Sequence, residues 1–344
     1  MVRMIEAVKV IVKGILAGVL ALVILSMFVY GYSYTGVHVT NSTHATDYMW
    51  EAGQWRSTMT EGFSWLHTDE NGYNNQIVPE NIDVLVLGSS HMEGFNVGKN
   101  KNAVALLNQN VQELSFYNIG ISGHDIYRCV DNIESALDDY QPSKYVIIET
   151  DTVDLDEISM GSVIDGIAQA IPSYDTGLMY YSQKMPAVKW LFKQFQDWVN
   201  VTDTEKLLQA EASEVKDNAA SVNESLVGEF LEKVSRSAKQ HACKAIIVYH
   251  PTLDIEFFES GGPPTSSELD VFKNQCAEKG ILFVDLTDDF ISLYKDDHIL
   301  AHGFANSTVG QGHLNQFGHE AMAKRLATVI RADMQEEGVQ SDLE

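Results

Sequence analysis

The chain has 344 residues, 45% of them hydrophobic, and its formal net charge at pH 7 is −25. A chain of this length can bury a full core, so one large domain with appendages is expected. The acidic balance argues against a nucleic-acid binder, because phosphates need a basic surface, and it disfavours electrostatic adhesion to anionic lipid. Three cysteines without metal-ligand spacing are expected to be small buried hydrophobic side chains: Cys129, Cys243 and Cys276.

Residues 1–32 contain a membrane signal, because the run at 14–30 is uncharged and rich in Leu, Val, Ile and Ala. With the apolar residues before it and a snorkelling Lys13, the run reaches the ~20 residues that cross a bilayer. Three basic residues precede it and the next is Arg56, which predicts a cytoplasmic N-terminus and an extracytoplasmic remainder. We predict an uncleaved single-pass anchor in the cell membrane. A cleaved signal peptide is the alternative.

Residues 33–80 are polar and lack a sustained period, and they are predicted to form an extracytoplasmic stalk and lead-in segment. From residue 81 to 335 apolar runs and amphipathic stretches alternate. Five runs are predicted as strands, at 83–87, 116–119, 145–148, 245–249 and 281–284. The stretches between and after them are predicted as helices, at 102–113, 126–137, 223–241, 267–279 and 316–334. Such alternation predicts an α/β three-layer sandwich around a five-stranded parallel sheet, similar to flavodoxin.

Two further segments complete the predicted domain organisation. An aromatic-rich, amphipathic stretch at 155–205 interrupts the alternation and is predicted to be a helical insertion. Residues 336–344 are predicted to be an acidic tail.

Polar residues that suit nucleophilic chemistry follow the first predicted strand. The buried run ends at Gly88, and Ser89, Ser90 and His91 come next. Ligands bind beyond the carboxyl ends of strands in open parallel sheets, so this turn is a candidate nucleophile site. Met92 stands where the motif G-x-S-x-G of α/β-hydrolases requires glycine. The sequence therefore does not favour the nucleophile elbow of that fold.

Four short blocks resemble, in the same order, the four sequence blocks of the SGNH (GDSL-like) hydrolase family. Residues 88–94 read Gly-Ser-Ser-His-Met-Glu-Gly beside the family's G-D-S-x-x-x-G, and residues 118–123 contain its N-x-G-x-x-G. Residues 149–152 correspond to G-x-N-D, and residues 313–319 fit the His-x-Asn-x-x-Gly part of the last block. The resemblance spans about residues 81–330.

The resemblance implies a Ser–His centre. Ser90 falls at the family's nucleophile and His313 at its base, and serine needs such a base to become nucleophilic. The backbone N–H groups of Ser90 and Gly123 are nominated for the oxyanion hole. Ser89 falls where the family has aspartate and is the less favoured nucleophile.

Two positions depart from the family pattern. Asp151 stands nearest the asparagine of the third block, so it is either protonated, turned away, or replaced as oxyanion donor by Thr150 or Thr152. Gly310 stands where the family has the acid that orients the histidine. Either a backbone carbonyl completes a Ser–His dyad, or an acid comes from elsewhere. The candidates are Glu149, Asp151 and Asp285.

Other polar residues are expected around the site. His91 follows the nucleophile and is expected to point away from it, His250 ends the fourth strand, and Asn315 follows the base, so all three are pocket candidates. His319 is expected to be structural. No metal-ligand spacing is present, and neither a metal nor a cofactor is predicted.

These features predict a membrane-anchored extracytoplasmic serine esterase or O-acyltransferase. The resemblance implies acyl esters of cell-surface glycans as substrates, with acetyl as the default group, and a small ester would also serve. Similar anchored proteins often act beside a multispanning membrane acyltransferase, which is therefore an expected partner. Nucleic acid is not. The alternative is a catalytically degenerate SGNH-like domain that binds glycan or scaffolds an acylation complex; a lipase is a third possibility without a specific motif.

Overall fold

The computed structural model describes residues 2–28, 36–38, 48–50, 52–53, 55–58, 61–153, 224–260 and 267–341. The predicted helical insertion at 155–205 lies outside the described residues. The described elements comprise a long N-terminal helix, two antiparallel strand pairs and an α/β unit.

The N-terminal helix α1 spans Val2–Phe28. Its segment Ile5–Ser26 has a hydropathy of 2.5 and none of it is buried. Length and composition suffice to cross a membrane, and a signal sequence near an N-terminus would have the same properties.

Four short strands follow in two antiparallel pairs. Strand β1 (Gly36–His38) pairs with β2 (Tyr48–Trp50), and β3 (Trp55–Thr58) pairs with β4 (Ser64–His67). Leu66 of β4 is buried together with Trp50 and Phe95. Part of the predicted stalk and lead-in segment therefore packs on the α/β unit.

The central sheet has five parallel strands in the order β6-β5-β7-β8-β9. The strands are β5 (Val84–Leu87), β6 (Phe116–Asn118), β7 (Tyr145–Thr150), β8 (Lys244–Tyr249) and β9 (Leu282–Asp285). All residues of β5 and β7 are buried, as expected of strands covered on both faces. The predicted five-stranded parallel sheet is confirmed.

Helices cover both faces of the sheet. The nucleophile turn forms the short helix α2 (Ser90–Glu93). The remaining helices are α3 (Ala103–Asn110), α4 (Ile126–Asp131), α5 (Ile133–Tyr140), α6 (Glu224–Gln240), α7 (Ile255–Ser260), α8 (Ser267–Glu278), α9 (Thr287–Asp297) and α10 (Gln316–Ser341). One core cluster joins the sheet to α4, α5, α6 and α8, and the other joins it to α3, α9 and α10. This is the predicted three-layer sandwich.

Two smaller predictions can be compared with the structure. The three cysteines are buried and free, as small hydrophobic residues would be. Helix α10 continues to Ser341, beyond the predicted end at 334, so residues 336–341 of the predicted tail extend this helix.

Candidate active site

The nucleophile turn lies between β5 and α2. Ser89 caps the helix, because its side-chain oxygen accepts a hydrogen bond from the backbone N–H of His91 at 3.2 Å. Ser90 is the first helical residue, and Gly94 (φ +64°) ends the helix in the left-handed conformation. A side chain at Gly88 would place its Cβ 2.5 Å from Oε2 of Glu149, so this approach requires glycine.

Ser90 and His313 are brought together by the fold. Oγ of Ser90 lies 2.9 Å from Nε2 of His313, which is within hydrogen-bond distance. His313 belongs to the loop before α10, and Asn315 shapes that loop. Its side chain donates to the backbone oxygens of Leu300 and Gly303 and accepts from the backbone N–H groups of Phe317 and Gly318, capping α10.

The carboxylate that contacts His313 is that of Glu61. Its Oε2 lies 2.6 Å from Nδ1 of His313, and its Oε1 accepts the backbone N–H of the same residue at 2.6 Å. Gly312 (φ +79°) makes room for it, since a Cβ there would lie 2.3 Å from Oε1. Ser90, His313 and Glu61 thus form the nucleophile–base–orienting acid chain found in serine hydrolases.

The loop that holds Glu61 is tied to the loop that holds His313. The backbone of Gly62 donates to Oδ1 of Asn306 at 2.8 Å and accepts from Nδ2 of Asn306 at 2.8 Å. The backbone oxygen of Glu61 accepts from the side chain of Asn96 at 2.9 Å. These bonds fix the carboxylate relative to the imidazole.

The three acids proposed from the sequence have other partners, and Gly310 lies against other residues. Glu149 bonds to Ser89 and His250, Asp285 accepts from Thr287, and Asp151 lies 3.9 Å from Nε2 of His91. A Cβ on Gly310 (φ +86°) would meet Leu300 and Asp254 at 3.0 and 3.2 Å. The orienting group is therefore a carboxylate from outside the predicted α/β domain, and neither a backbone carbonyl nor any of the three acids.

Sequence reasoning missed Glu61 because it lies in an irregular segment with no spacing relation to the four blocks. The one available signal was indirect. With glycine at position 310, a complete centre required an acid from another part of the chain, and residue 61 lies in the lead-in segment that was expected to reach the domain.

The loop with Gly123 contacts the nucleophile turn. The backbone N–H of Ile121 donates to the oxygen of Gly88 at 3.0 Å, and the side chain of Asn118 donates to the oxygen of Met92 at 2.8 Å. Gly123 has φ +85°, and no heavy atom lies within 4 Å of the position that a Cβ would take. The backbone conformation explains the glycine, and the space beside it is open.

The residues proposed as the third oxyanion donor behave differently from one another. The hydroxyl of Thr150 donates to the backbone oxygen of Thr152 at 2.6 Å and accepts its N–H at 3.1 Å, so Thr150 is engaged within its own turn. The side chain of Asp151 is 52% exposed. Partial burial, followed by the negative charge of Glu149, raises the pKa of Asp151 above its ordinary value.

A buried carboxylate lies beneath the nucleophile turn. Oε2 of Glu149 accepts the backbone N–H of Ser89 at 2.7 Å and its hydroxyl at 3.0 Å, while Oε1 lies 2.6 Å from Nε2 of His250. Burial would raise the pKa of Glu149, but the hydrogen bond and charge of His250, the charge of His91 and the Ser89 N–H together lower it to about 2.

Buried histidines surround this carboxylate. Nδ1 of His91 accepts the backbone N–H of Leu314 at 3.1 Å, and Nδ1 of His319 accepts that of Ala103 at 3.2 Å. Burial lowers the pKa of His91 to about 3, of His319 to about 3 and of His302 to about 2, so all three are neutral near pH 7. His250 is fully buried and lines no open pocket.

A cavity of about 280 Å³ lies beside the His313 loop. Three aromatic rings and four polar side chains contribute to its lining: Phe63, Phe304, Phe317, Asn96, Lys101, Asn315 and Gln316. Phe63 follows Glu61 by two residues and Asn315 follows His313 by two, so two lining residues lie close in the chain to the acid and to the base. Aromatic faces with amide side chains suit an amphipathic ligand such as a sugar.

No protein-family model and no curated protein matches the chain. Solved structures do. An acetyl xylan esterase matches at TM-score 0.41 and 11% identity, covering 72% of this chain and 100% of its own. A G-D-S-L family lipolytic protein from Veillonella parvula matches at 0.38 and 15% (72% and 97%), and an esterase from Pseudoalteromonas sp. at 0.38 and 11% (73% and 98%). TM-scores this low carry no functional argument.

Proposed function

We propose that the chain is a serine ester hydrolase of the SGNH type, with Ser90 as nucleophile, His313 as base and Glu61 as orienting acid. The observation that supports this proposal most directly is the continuous series of hydrogen-bond contacts from Oγ of Ser90 through both ring nitrogens of His313 to the Glu61 carboxylate. Each contact has the length that proton transfer and tautomer control require.

The reaction follows from these contacts. Oγ of Ser90 attacks the ester carbonyl carbon while Nε2 of His313 takes its proton, and the backbone N–H groups of Ser90 and Gly123 donate to the oxyanion. The intermediate collapses, the C–O bond of the alcohol breaks, and the alcohol leaves with the proton from His313. Water then attacks the acyl-enzyme in the same manner, which releases the acid and restores Ser90.

Glu61 supplies what the sequence lacked at Gly310. Its carboxylate keeps the ring proton on Nδ1, so the lone pair of Nε2 faces Ser90, and it stabilises the imidazolium that forms. This complete set of groups favours the enzyme over the degenerate glycan-binding or scaffold protein, for which the absent acid was the main support.

The substrate and setting are also part of the proposal. The apolar helix α1 would anchor the chain in a membrane, with the basic residues before it on the cytoplasmic side and the active site outside. Acyl esters of cell-surface glycans, acetyl esters first, are the proposed substrates, and the aromatic cavity beside the His313 loop suits a sugar ring. Transfer to a glycan hydroxyl, with a multispanning membrane acyltransferase as partner, would use the same acyl-enzyme.

The test compares the full chain in detergent with Ser90→Ala and His313→Ala, using p-nitrophenyl acetate turnover and labelling by a fluorophosphonate. Ser292→Ala, an exposed serine on α9, is the matched control. Both triad variants should lose turnover by about 10⁴–10⁶-fold and lose labelling, while the control keeps both.

Two other outcomes are informative. Labelling without turnover would indicate a transferase that waits for its acceptor. A folded wild-type protein that is neither labelled nor active would contradict the nucleophile assignment. It would favour the alternative function, a glycan-binding or scaffold protein.

A further inference from the structure

Three histidines that the proposed reaction does not use converge beneath the nucleophile turn. His91 comes from α2, His250 follows β8, and His302 lies in the loop between α9 and α10. One ring nitrogen of each lies within 4.8 Å of the corresponding nitrogen of the other two. The residues are far apart in the chain, so no spacing in the sequence indicated the cluster.

The cluster leaves polar atoms without partners in the interior. His250 and His302 are both 0% exposed. Among the described residues, Nδ1 of His250 and both ring nitrogens of His302 have no hydrogen-bond partner. Buried polar groups are nearly always paired, so three orphaned nitrogens in one small space indicate that something other than protein binds there.

The hydrogen bonds around the cluster fix which atoms face it. Nε2 of His250 donates to the buried carboxylate of Glu149 at 2.6 Å, which leaves the lone pair on Nδ1 directed away from that bond. A histidine held by a carboxylate through one nitrogen, with the other nitrogen free, is the usual arrangement of a metal ligand.

We propose that His91, His250 and His302 bind one transition-metal ion of the Zn²⁺ class. Imidazole nitrogens suit Zn²⁺ and its neighbours, while Mg²⁺ and Ca²⁺ require oxygen ligands. Zn–N bonds of about 2.0–2.1 Å place tetrahedral ligands about 3.3 Å apart, so nitrogens that lie within 4.8 Å of one another must approach by up to about 1.5 Å when the ion binds. The ion satisfies the orphaned nitrogens of His250 and His302 that face it.

Binding through His91 has a specific consequence. Nδ1 of His91 accepts the N–H of Leu314 at 3.1 Å, so the ring proton is on Nε2. Coordination of a neutral imidazole through Nε2 requires the ring proton on Nδ1, where it faces the N–H of Leu314, so the hydrogen bond to Leu314 breaks. Leu314 follows His313, so metal binding changes the backbone contact next to the proposed base.

An access route exists on the side of His91. It is the only member of the cluster with a partly exposed side chain, at 11%. The half-exposed carboxylate of Asp151 lies 3.9 Å from its Nε2 and would attract a cation at this opening. The site is therefore reachable from solvent although two of its ligands are fully buried.

The test is a titration of the full chain, stripped of metal with a chelator, with Co²⁺ followed by visible absorption, and then displacement of Co²⁺ by Zn²⁺. Wild type should bind one ion per chain with a nitrogen-rich, low-symmetry spectrum. His302→Phe keeps an aromatic ring beside Phe290 and removes a ligand, and it should weaken binding by more than the ~100-fold that loss of an outer-shell partner costs.

His241→Gln is the control, because His241 is a histidine paired with Asp138 at the end of α6, outside the cluster. It should bind like wild type. The proposal is overturned if wild type shows no cobalt spectrum, or if His302→Phe, still folded by circular dichroism, binds as wild type does. Should His302→Phe fail to fold, X-ray absorption of zinc-loaded wild type decides: imidazole ligands support the site, and oxygen ligands alone refute it.

Discussion

The carboxylate of Glu61 contacts His313 twice, through the ring Nδ1 and through the backbone N–H, each at 2.6 Å. One residue thus fixes both the ring and the chain segment that carries it. The acid comes from the segment before the sheet, whereas the nucleophile and base come from loops at the carboxyl edge. The proposed active site is complete only when that segment docks.

The first prediction concerns the oxyanion hole. Gly123 and Gly280 both have positive φ (+85° and +72°), and neither has an atom within 4 Å of a built Cβ. Gly123→Ala and Gly280→Ala should therefore each lose about 1–2 kcal/mol of unfolding free energy through backbone strain. Only Gly123→Ala should also lose activity, by about 10²–10³-fold if its N–H moves off the oxyanion.

Urea unfolding and esterase turnover of the two alanine variants check this prediction. Equal loss of activity in both would mean that strain alone, and not the position of the Gly123 N–H, sets the rate.

The second prediction concerns the buried carboxylate of Glu149 under the nucleophile turn. Glu149→Gln removes the charge that accepts from Ser89 and His250 and leaves those donors poorly matched. Leaving these buried donors without their charged acceptor costs about 1–3 kcal/mol of unfolding free energy. Glu232→Gln breaks an exposed pair with Lys279 and should leave the unfolding free energy almost unchanged, because solvent screens that pair. Similar unfolding midpoints for the two variants would contradict the role given to Glu149.

The third prediction is a loss of stability in mild acid. Burial holds the pKa of His91, His302 and His319 far below the ordinary value of 6.5. Below pH 6.5 the unfolded chain binds protons at these histidines and the folded chain does not. The folded state therefore loses stability as pH falls from 6.5 towards about 3. In that window each histidine lowers the unfolding free energy by about 1.4 kcal/mol for every unit by which the pH falls. Above pH 6.5 none of this stability is lost.

His302→Phe tests this directly, with urea unfolding of metal-free protein at several pH values. It should flatten the dependence of the unfolding free energy on pH by one histidine's share, and it should raise stability at neutral pH because two orphaned nitrogens are removed. His241→Gln should not flatten the dependence, since the hydrogen bond that the His241 ring donates to Asp138 raises the pKa of His241. Identical pH dependence in wild type and His302→Phe would count against a neutral, buried His302.

The features that the sequence predicted are local ones. The buried strands β5 and β7 are recognisable in the sequence as apolar stretches. The residues at their carboxyl ends follow those stretches directly and can be located in the same way. Ser90 and His313 could be nominated from the sequence because each lies in a short block next to a regular element. The end of α10 was misjudged because its last turns are polar and lack an apolar period.

What the sequence did not predict depends on contacts between distant segments. Glu61 meets His313 across more than two hundred residues, and nothing in the pattern around residue 61 marks it. His302 and His250 likewise converge only through the order of the strands. Glu149 was one of the three acids considered for His313, but the end of β8 places His250 against it.

The central claim is that Ser90, His313 and Glu61 act as one unit, and the rate at which a fluorophosphonate modifies Ser90 tests it without knowledge of the natural substrate. Glu61→Gln should slow this reaction by about 10²–10⁴-fold, because the imidazole loses the group that fixes its tautomer and stabilises its charge. Asp285→Asn, which changes an acid bonded to Thr287, should react like wild type. If folded Glu61→Gln is modified at the wild-type rate, Glu61 only supports the loop and the triad is wrong.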